Sequence, residues 1–233
     1  ATMGEIWRAQ EGNGLSLKAI DSAIAEAKLA PMGPFFLQDL LGLDTVFHVA
    51  EHLNHSYGES FYVHEGLRGL VGEGKLGMKS GGEGFFKDGE QTVPGDAEPD
   101  AQELIDMFGS RALIEACLLV EEGISSVRDI DVGMMTGAGL DPRKGLLPPF
   151  WKADVEGLDK MLEKMEALEE KYGERFTPPI TLKRLVAQGR LGLATGQGFY
   201  AYPQPDEGEQ PEKVKLETRG DVAIAWLANV PMN

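Results

Sequence analysis

The stretch Pro34-Phe35-Phe36-Leu37-Gln38-Asp39-Leu40-Leu41-Gly42-Leu43-Asp44 returns 115 residues later as Pro149-Phe150-Trp151-Lys152-Ala153-Asp154-Val155-Glu156-Gly157-Leu158-Asp159. The register holds without a gap for residues 33–82 against 148–197, and 19 of those 50 pairs are identical. Tyr57-Gly58-Glu59 and Phe61 fall on Tyr172-Gly173-Glu174 and Phe176; Gly74-x-Leu76-Gly77 falls on Gly189-x-Leu191-Gly192. After a one-residue slip Gly84-Phe85 meets Gly198-Phe199. Towards the N-terminus the offset becomes 110, pairing Glu5 with Glu115, Ser16 with Ser126 and Ile20-Asp21 with Ile130-Asp131. Extra residues at 140–147 account for the change. Composition alone does not put glycines in register, so the chain carries one unit twice.

Each unit reads as a short helical domain. The first helix ends at Gly12-Asn13-Gly14 or Gly123, where glycine accepts positive φ. A second starts at Ser16 or Ser126 and stops before Pro31 or Pro142. From Pro149-Phe150 onward, Val155, Leu158, Met161, Leu162, Met165 and Leu168 recur at three and four, predicting one amphipathic helix that runs to about Gly173. A shorter helix at 67–73 or 182–188 precedes a glycine-rich turn, and the aromatic pairs Phe85-Phe86 and Phe199-Tyr200 pin the tail to the bundle. In the second unit Asp100 opens the first helix, with Glu103 placed to reach back as in a capping box. Subtracting 110 puts the matching start about ten residues before Ala1, so the chain is expected to open inside a helix.

Residues 87–98 read as a linker, as do the acidic, Pro- and Gly-rich residues 203–213. Beyond them the period shortens to two: Val214 and Leu216 alternate with polar residues, Gly220-Asp221 makes a turn, and 222–227 is strand-like. A lone hairpin leaves open edges, so 214–233 is expected to be the start of a further domain. The expected fold class is all-α: two tandem helical domains, 1–86 and 99–202, plus a short C-terminal β-hairpin or disordered tail.

The 38 acidic against 22 basic residues leave a net charge of −16, a field that repels nucleic acid and anionic lipid. Cys117 is the single cysteine, so no internal disulfide forms, which fits a reducing, cytoplasmic setting. Its apolar helical surroundings read as a buried structural thiol. No run of 18 apolar residues offers a membrane span, and Ala1-Thr2-Met3-Gly4-Glu5-Ile6-Trp7 is not a signal peptide.

Candidate chemistry is sparse. The two glycine-rich turns, beginning at Gly77 and Gly192, follow a helix and lead to aromatics, whereas a dinucleotide fingerprint follows a strand and opens a helix. They read as structural turns. His48, His52 and His55 share a helix face near Asp44 and Glu51, but Val49 stands where a zinc protease has Glu, and the second unit has no histidine there. A solvated or interface face is the better reading, and no metal is expected. His64 is a lone loop histidine. Asp39, Asp44, Asp154 and Asp159 recur, as helix-start acids do.

Three motifs together carry a resemblance. Pro31-Met32-Gly33-Pro34-Phe35-Phe36-Leu37-x-Asp39-Leu40-Leu41-Gly42-Leu43-Asp44, Gly189-Arg190-Leu191-Gly192-x-x-Thr195-Gly196-x-Gly198-Phe199-Tyr200-x-Tyr202, and Glu115-Ala116 with Glu121-Glu122-Gly123-Ile124-Ser125-Ser126-x-x-Asp129-Ile130-Asp131 resemble the helical C-terminal domain of 3-hydroxyacyl-CoA dehydrogenases, whose fold is 6-phosphogluconate dehydrogenase C-terminal-like. The likeness covers about residues 3–202. Two such domains in tandem are similar to multifunctional fatty acid oxidation enzymes, and residues 216–233 resemble the first hairpin of an enoyl-CoA hydratase (crotonase-like) domain.

The resemblance implies oxidation of 3-hydroxyacyl-CoA to 3-ketoacyl-CoA with NAD, by a His–Glu pair in a separate NAD-binding domain. This chain is then inactive alone, binds no cofactor itself and has as partners the NAD-binding and hydratase domains of a longer protein. The family's helper Asn lies nine residues before the glutamate matched by Glu5, ahead of Ala1; its place in the second unit is Asp106. By the same resemblance Pro31, Met32, Gly33 and Pro34 border the acyl-CoA cleft, although the residues themselves read first as a helix-start turn, and tandem copies satisfy the packing face internally, giving a monomer or weak dimer. The alternatives are a helical protein-interaction module, or the second domain of another NAD-dependent hydroxy-acid dehydrogenase.

Overall fold

A computed structural model describes residues 1–203, 214–219 and 222–227; the expected linker beyond Pro203, the turn at Gly220-Asp221 and residues 228–233 lie outside the described residues. Copy one holds α1 (Thr2–Asn13), α2 (Leu17–Glu26), α3 (Pro34–Leu41), α4 (Leu43–Tyr57) and α5 (Glu65–Gly72). Copy two repeats them as α6 (Ala101–Glu121), α7 (Val127–Gly137), α8 (Pro149–Glu156), α9 (Leu158–Tyr172) and α10 (Ile180–Ala187). The fold is all-α with internally repeated helical packing, as the sequence repeat requires. Residues Ala1–Tyr200 make one unit. In a second unit, β3 (Val214–Arg219) pairs antiparallel with β4 (Val222–Leu227), with Val214 opposite Leu227 and Arg219 opposite Val222.

The helix signals act as read. Ser16 and Ser126 accept from the backbone N–H of Ala19 and Asp129. Asp100 accepts from Glu103 N–H at 3.1 Å, but the Glu103 carboxylate reaches Lys171 on α9 instead of its own helix start. One element differs. The helix expected from Pro149 to Gly173 is two helices, broken at Gly157, and copy one breaks at Gly42. These glycines sit at φ 101° and 94°, outside any helical conformation. The freed amides of Leu158 and Leu43 go to the carbonyls of Leu191 and Leu76, so the break docks the glycine-turn strand.

Two carboxylates in each copy then organise its chain path. Asp21 on α2 accepts from the N–H groups of Phe35 and Phe36 at 2.8 and 2.9 Å, capping α3 from outside. Asp131 on α7 does the same for Phe150 and Trp151 of α8. Asp39 accepts from Phe85 and Phe86, both at 2.8 Å, and Asp154 from Phe199 and Tyr200, both at 2.9 Å. Asp39 and Asp154 were expected to serve at helix starts; they lie late in α3 and α8 and hold the tails instead. A Cβ on Gly84 or Gly198 would stand 2.1 or 2.0 Å from that carboxylate, so only glycine lets the tail approach. Behind the clamp Phe85 meets Phe35 edge-on at 4.9 Å, and Phe199 meets Phe150 at 4.6 Å.

Each copy has its own core. Ile6, Leu17, Ile20, Ile24, Phe35, Leu43, Leu67 and Phe85 fill the first, and Leu113, Cys117, Phe150, Leu158, Met165, Phe176 and Leu182 the second. Burial pushes the Cys117 thiol well above its ordinary range, so it stays a protonated packing group. Helix α6 serves both: Leu104 packs into the first core and Met107 into the second. Between the copies Glu5, fully buried on α1, receives Arg175 Nε at 2.9 Å, while buried Arg111 pairs with Glu115 at 2.6 Å. Residues 87–98 are bonded back onto copy one. β1 (Phe86–Lys87) pairs with β2 (Glu90–Gln91), Gln91 Oε1 accepts from Leu17 N–H, and Ala97 exchanges backbone bonds with Ser16 and Gly14.

His64 is no loose loop residue. It is buried as the N-cap of α5, its Nδ1 accepting from Leu67 N–H at 3.0 Å, which places the proton on Nε2, donating to Gln10 Oε1 at 2.7 Å. Burial pushes its pKa down to about 4, with Glu11 pulling weakly the other way.

Removing either tail clamp strands two buried N–H groups, so Asp39→Ala and Asp154→Ala should each cost about 2–4 kcal/mol in urea denaturation; a loss of a few tenths would show that the clamp carries no stability. For His64, the unfolded imidazole takes protons near pH 6.5 and the folded one only near 4, so the unfolded state binds more protons between. Stability from this site is complete above about pH 6.5 and drains as pH falls to about 4, by roughly 3 kcal/mol. Asp21, raised by burial to about 6, works in the opposite sense over the lower part of that window. The wild-type advantage over His64→Gln should therefore shrink from pH 6.5 to 4, and a constant difference would refute a neutral folded His64.

Candidate functional site

A cavity of about 290 Å³ lies between the two copies. Copy one contributes the start of α1, through Thr2 and Met3, the connection after α2, through Leu29 and Pro31, and the start of α3, through Pro34 and Leu37. Copy two contributes α6, α8 and α9, through Ile105, Phe108, Ser110, Ala153 and Met161. The α2–α3 connection has this position because Asp21 caps α3 from α2, folding residues 27–33 across the face of α6. The walls are mainly apolar, with a few charged groups along one side, the ordinary make-up of a small-molecule site.

That charged side is a chain of four groups. Lys152 Nζ meets Glu156 at 2.6 Å, Glu156 meets Lys164 at 3.4 Å, and Lys164 meets Asp106 at 2.9 Å. Burial raises the Glu156 pKa, but Lys152 and Lys164 outweigh it and hold the carboxyl below its usual range. Burial lowers the Lys164 pKa, but Asp106 and Glu156 outweigh it and keep the ammonium charged. The side is thus a run of alternating basic and acidic groups, each paired with its neighbour.

The repeat supplies a comparison inside the molecule. With the 115-residue offset, Lys152, Glu156 and Lys164 correspond to Leu37, Leu41 and Val49. In copy one these residues belong to an apolar groove of about 480 Å³, bordered by Pro34, Val46, Leu53 and Tyr62 and the start of α1. In copy two the equivalent face is covered by the first turns of α6, whose Glu103 and Asp106 engage Lys171 and Lys164. The same architecture presents an apolar face once and an ion-paired face once.

Of the four residues singled out in the sequence, Pro31 and Pro34 line the inter-copy cavity, and Pro34 also borders the groove. Met32 and Gly33 line neither; Gly33 is the N-cap of α3. Ser110, Lys152, Glu156 and Lys164 escaped sequence reasoning. The only signal for Lys152, Glu156 and Lys164 was a departure from the repeat, charge where copy one has leucine and valine, and Ser110 had none. His48, His52 and His55 are exposed on α4, and among the described residues no group of three or more His, Cys, Asp or Glu side chains converges to hold a metal ion.

The glycine turns do not fit a dinucleotide. The N–H of Gly77 goes to Glu83, those of Ser80 and Gly82 go back to Gly77, and the Gly192 and Thr195 amides repeat the pattern with Gln197 and Gly192. Those donors are spent inside the turn, and the hollow beside the first turn carries three carboxylates, Asp21, Asp39 and Asp88, against Lys18, an acidic lining that disfavours phosphate.

Comparison with known proteins agrees with this geometry. A family model described as "3-hydroxyacyl-CoA dehydrogenase, C-terminal domain" matches residues 1–88 and 107–202. The fatty acid oxidation complex subunit alpha of Idiomarina loihiensis is 30% identical over 174 residues, which cover 68% of this chain and 24% of that protein. Its namesake in Shewanella amazonensis is 30% identical over 193 residues, covering 76% of this chain and 27% of the relative. The chain thus spans about a quarter of the length of these curated relatives. Among solved structures, 3-hydroxybutyryl-CoA dehydrogenase from Escherichia coli K12 shares the fold, with a TM-score of 0.61 at 19% identity over 79% of this chain and 58% of that one. With the repeat, the twin glycine turns and the tail clamps all in place, this chain belongs to the C-terminal domain family of the 3-hydroxyacyl-CoA dehydrogenases.

Proposed function

We propose that this chain is the acyl-closing and packing part of a longer enzyme that oxidises 3-hydroxyacyl-CoA to 3-ketoacyl-CoA with NAD in fatty acid oxidation. The observation that carries the reading is the family match over both copies, joined to a largely apolar cavity whose walls include Pro31 and Pro34. In this reading Pro31 and Pro34 border the acyl group directly, and Met32 and Gly33 hold the turn that places them. NAD and the acid–base pair that takes the hydroxyl proton belong to a separate nucleotide-binding domain. The glycine turns here spend the Gly77, Ser80, Gly192 and Thr195 amides on their own backbone.

The domain boundaries follow from the repeat: 1–86 and 99–202 as the two copies, joined by 87–98. Residues 214–233 are the opening of a hydratase-like domain reached through 203–213, a reading supported by a hairpin whose described strands pair only with each other. Copy two replaces the family's helper Asn with Asp106 and commits that carboxylate to Lys164. It therefore serves as scaffold for copy one, much as a dimer partner would. No helix among the described residues is long and apolar enough to cross a membrane.

The test has two arms. The chain alone, given 3-hydroxyacyl-CoA and NAD, should produce no NADH, and joined to the nucleotide-binding domain of a relative it should do so. A joined, folded protein without turnover would remove the reading. The internal pairing of the copies also predicts a monomer or weak dimer, so an obligate dimer by light scattering in dilute solution would contradict the packing role assigned to copy two.

A further inference from the structure

We infer that the ion cluster buried between the copies is a pairing code, which lets the α1 face of copy one accept the α6 face of copy two and reject a face like itself. The inference rests on the reading that the copies pack on each other within one chain, and goes further in naming the groups that make that pairing selective.

The need for selection comes from the repeat. Helices α1 and α6 are equivalent, and they pack against each other. An interface between equivalent surfaces can also be built from two like copies, α1 on α1 or α6 on α6, supplied by different chains. With 19 of 50 pairs identical over residues 33–82, the copies are alike enough for that hazard, and wrong pairing between units is a common failure of repeat proteins. Something on the interface has to tell the copies apart.

Glu5 and Glu115 are counterparts in the repeat, so each copy brings one glutamate, and both act electrostatically on Arg111. The cations are not shared in that way. Copy two brings Arg111 and Arg175, whose counterparts in copy one are Ala1 and Ser60. Arg111, one turn before Glu115 on α6, binds it at 2.6 Å and also donates to the Arg175 carbonyl. Copy two therefore neutralises its own glutamate and has Arg175 to spare. Copy one cannot do the same. Arg8, the one basic residue of α1, is turned to Glu59 at 3.3 Å and lies over the Tyr62 ring. Glu5 is left fully buried without a cation from its own copy, and Arg175 supplies one at 2.9 Å.

The spare cation meets the spare anion only when copy one faces copy two. Two α1 faces would bury two unmatched glutamates, and two α6 faces would bring two unmatched arginines together. The Ala1 amine nearby is pushed down to about 6 by burial, so at neutral pH it does not make up the missing charge. A buried ion pair contributes little beyond what a well-packed apolar pair would, whereas a lone buried charge is costly. One oxygen of Glu5 and the Nε of Arg111 have no hydrogen-bond partner, so the cluster is not arranged for greatest stability. Its effect falls on the wrong pairings, which is how charge confers specificity.

Refolding the 233-residue chain from urea over a wide range of protein concentration, followed by light scattering, tests the inference. Wild type should return to its starting mass throughout. Glu5→Leu with Arg175→Leu, which makes the pair apolar, should fold in dilute solution yet return at high concentration as heavier species that do not dissociate on dilution. Glu5→Gln with Arg175→Gln should do the same, and serves where the leucine pair does not fold. Arg175→Ser alone gives copy two the copy-one residue and leaves Glu5 bare. It should lower the folding equilibrium constant by about a hundredfold or more, and adding Glu5→Gln should recover most of that loss. Neutral-pair variants that regain their starting mass as cleanly as wild type would overturn the code. So would an Arg175→Ser loss that Glu5→Gln does not recover. These outcomes separate the inference from the packing role itself: an obligate wild-type dimer in dilute solution refutes that role, whereas a monomeric wild type with equally monomeric neutral variants refutes the code alone.

Discussion

Two pairs of buried carboxylates hold this fold together, because each binds two neighbouring backbone N–H groups of a segment distant in sequence. Asp21 and Asp131 cap α3 and α8 from the preceding helix; Asp39 and Asp154 hold the aromatic tails that close each bundle. A carboxylate is suited to this, having two oxygens spaced to accept from successive amides. The cost is desolvation, which raises the pKa of Asp21, Asp39 and Asp131 against the pull of those same amides. Everything else is positioned by these links: the α2–α3 turn, the docking of the glycine turn, and the ring pairs Phe35–Phe85 and Phe150–Phe199 in the two cores.

Within that shared frame the copies have diverged along one face. Leu37, Leu41 and Val49 keep one face of copy one apolar, while their counterparts Lys152, Glu156 and Lys164 are tied together and to Asp106. A surface ion pair contributes little, but a half-buried chain with each charge matched costs little either, and it fixes α6 against α8 and α9. That fixes the wall of the inter-copy cavity. Helix α6 then links chemistry to architecture: its outer turn joins both cores, its polar face meets the ion chain, and Gly109 and Ser110 meet the cavity.

Much of this was legible in the residues. The repeat, its two offsets, the serine caps and the glycine helix ends all act through local backbone preferences, and those need no partner to be read. The site was less legible. Pro31 and Pro34 were found through resemblance and do face the cavity, but Met32 and Gly33 came with them only by being neighbours in sequence. Ser110 carries no motif, and only the fold shows that its hydroxyl is buried without a hydrogen-bond partner. The break at Gly157 was missed because apolar spacing continues unbroken across it, while the backbone there turns to φ 101°.

What the sequence determined by itself was a helical unit made twice, because periodicity, caps and glycine register are properties of short segments. What only the tertiary structure decided was which distant amides Asp39 and Asp154 would hold, where His64 would be buried, and that the two copies would leave a cavity of about 290 Å³ between them. Those outcomes depend on groups far apart in the chain meeting at hydrogen-bonding or van der Waals distance, and no local pattern encodes such meetings.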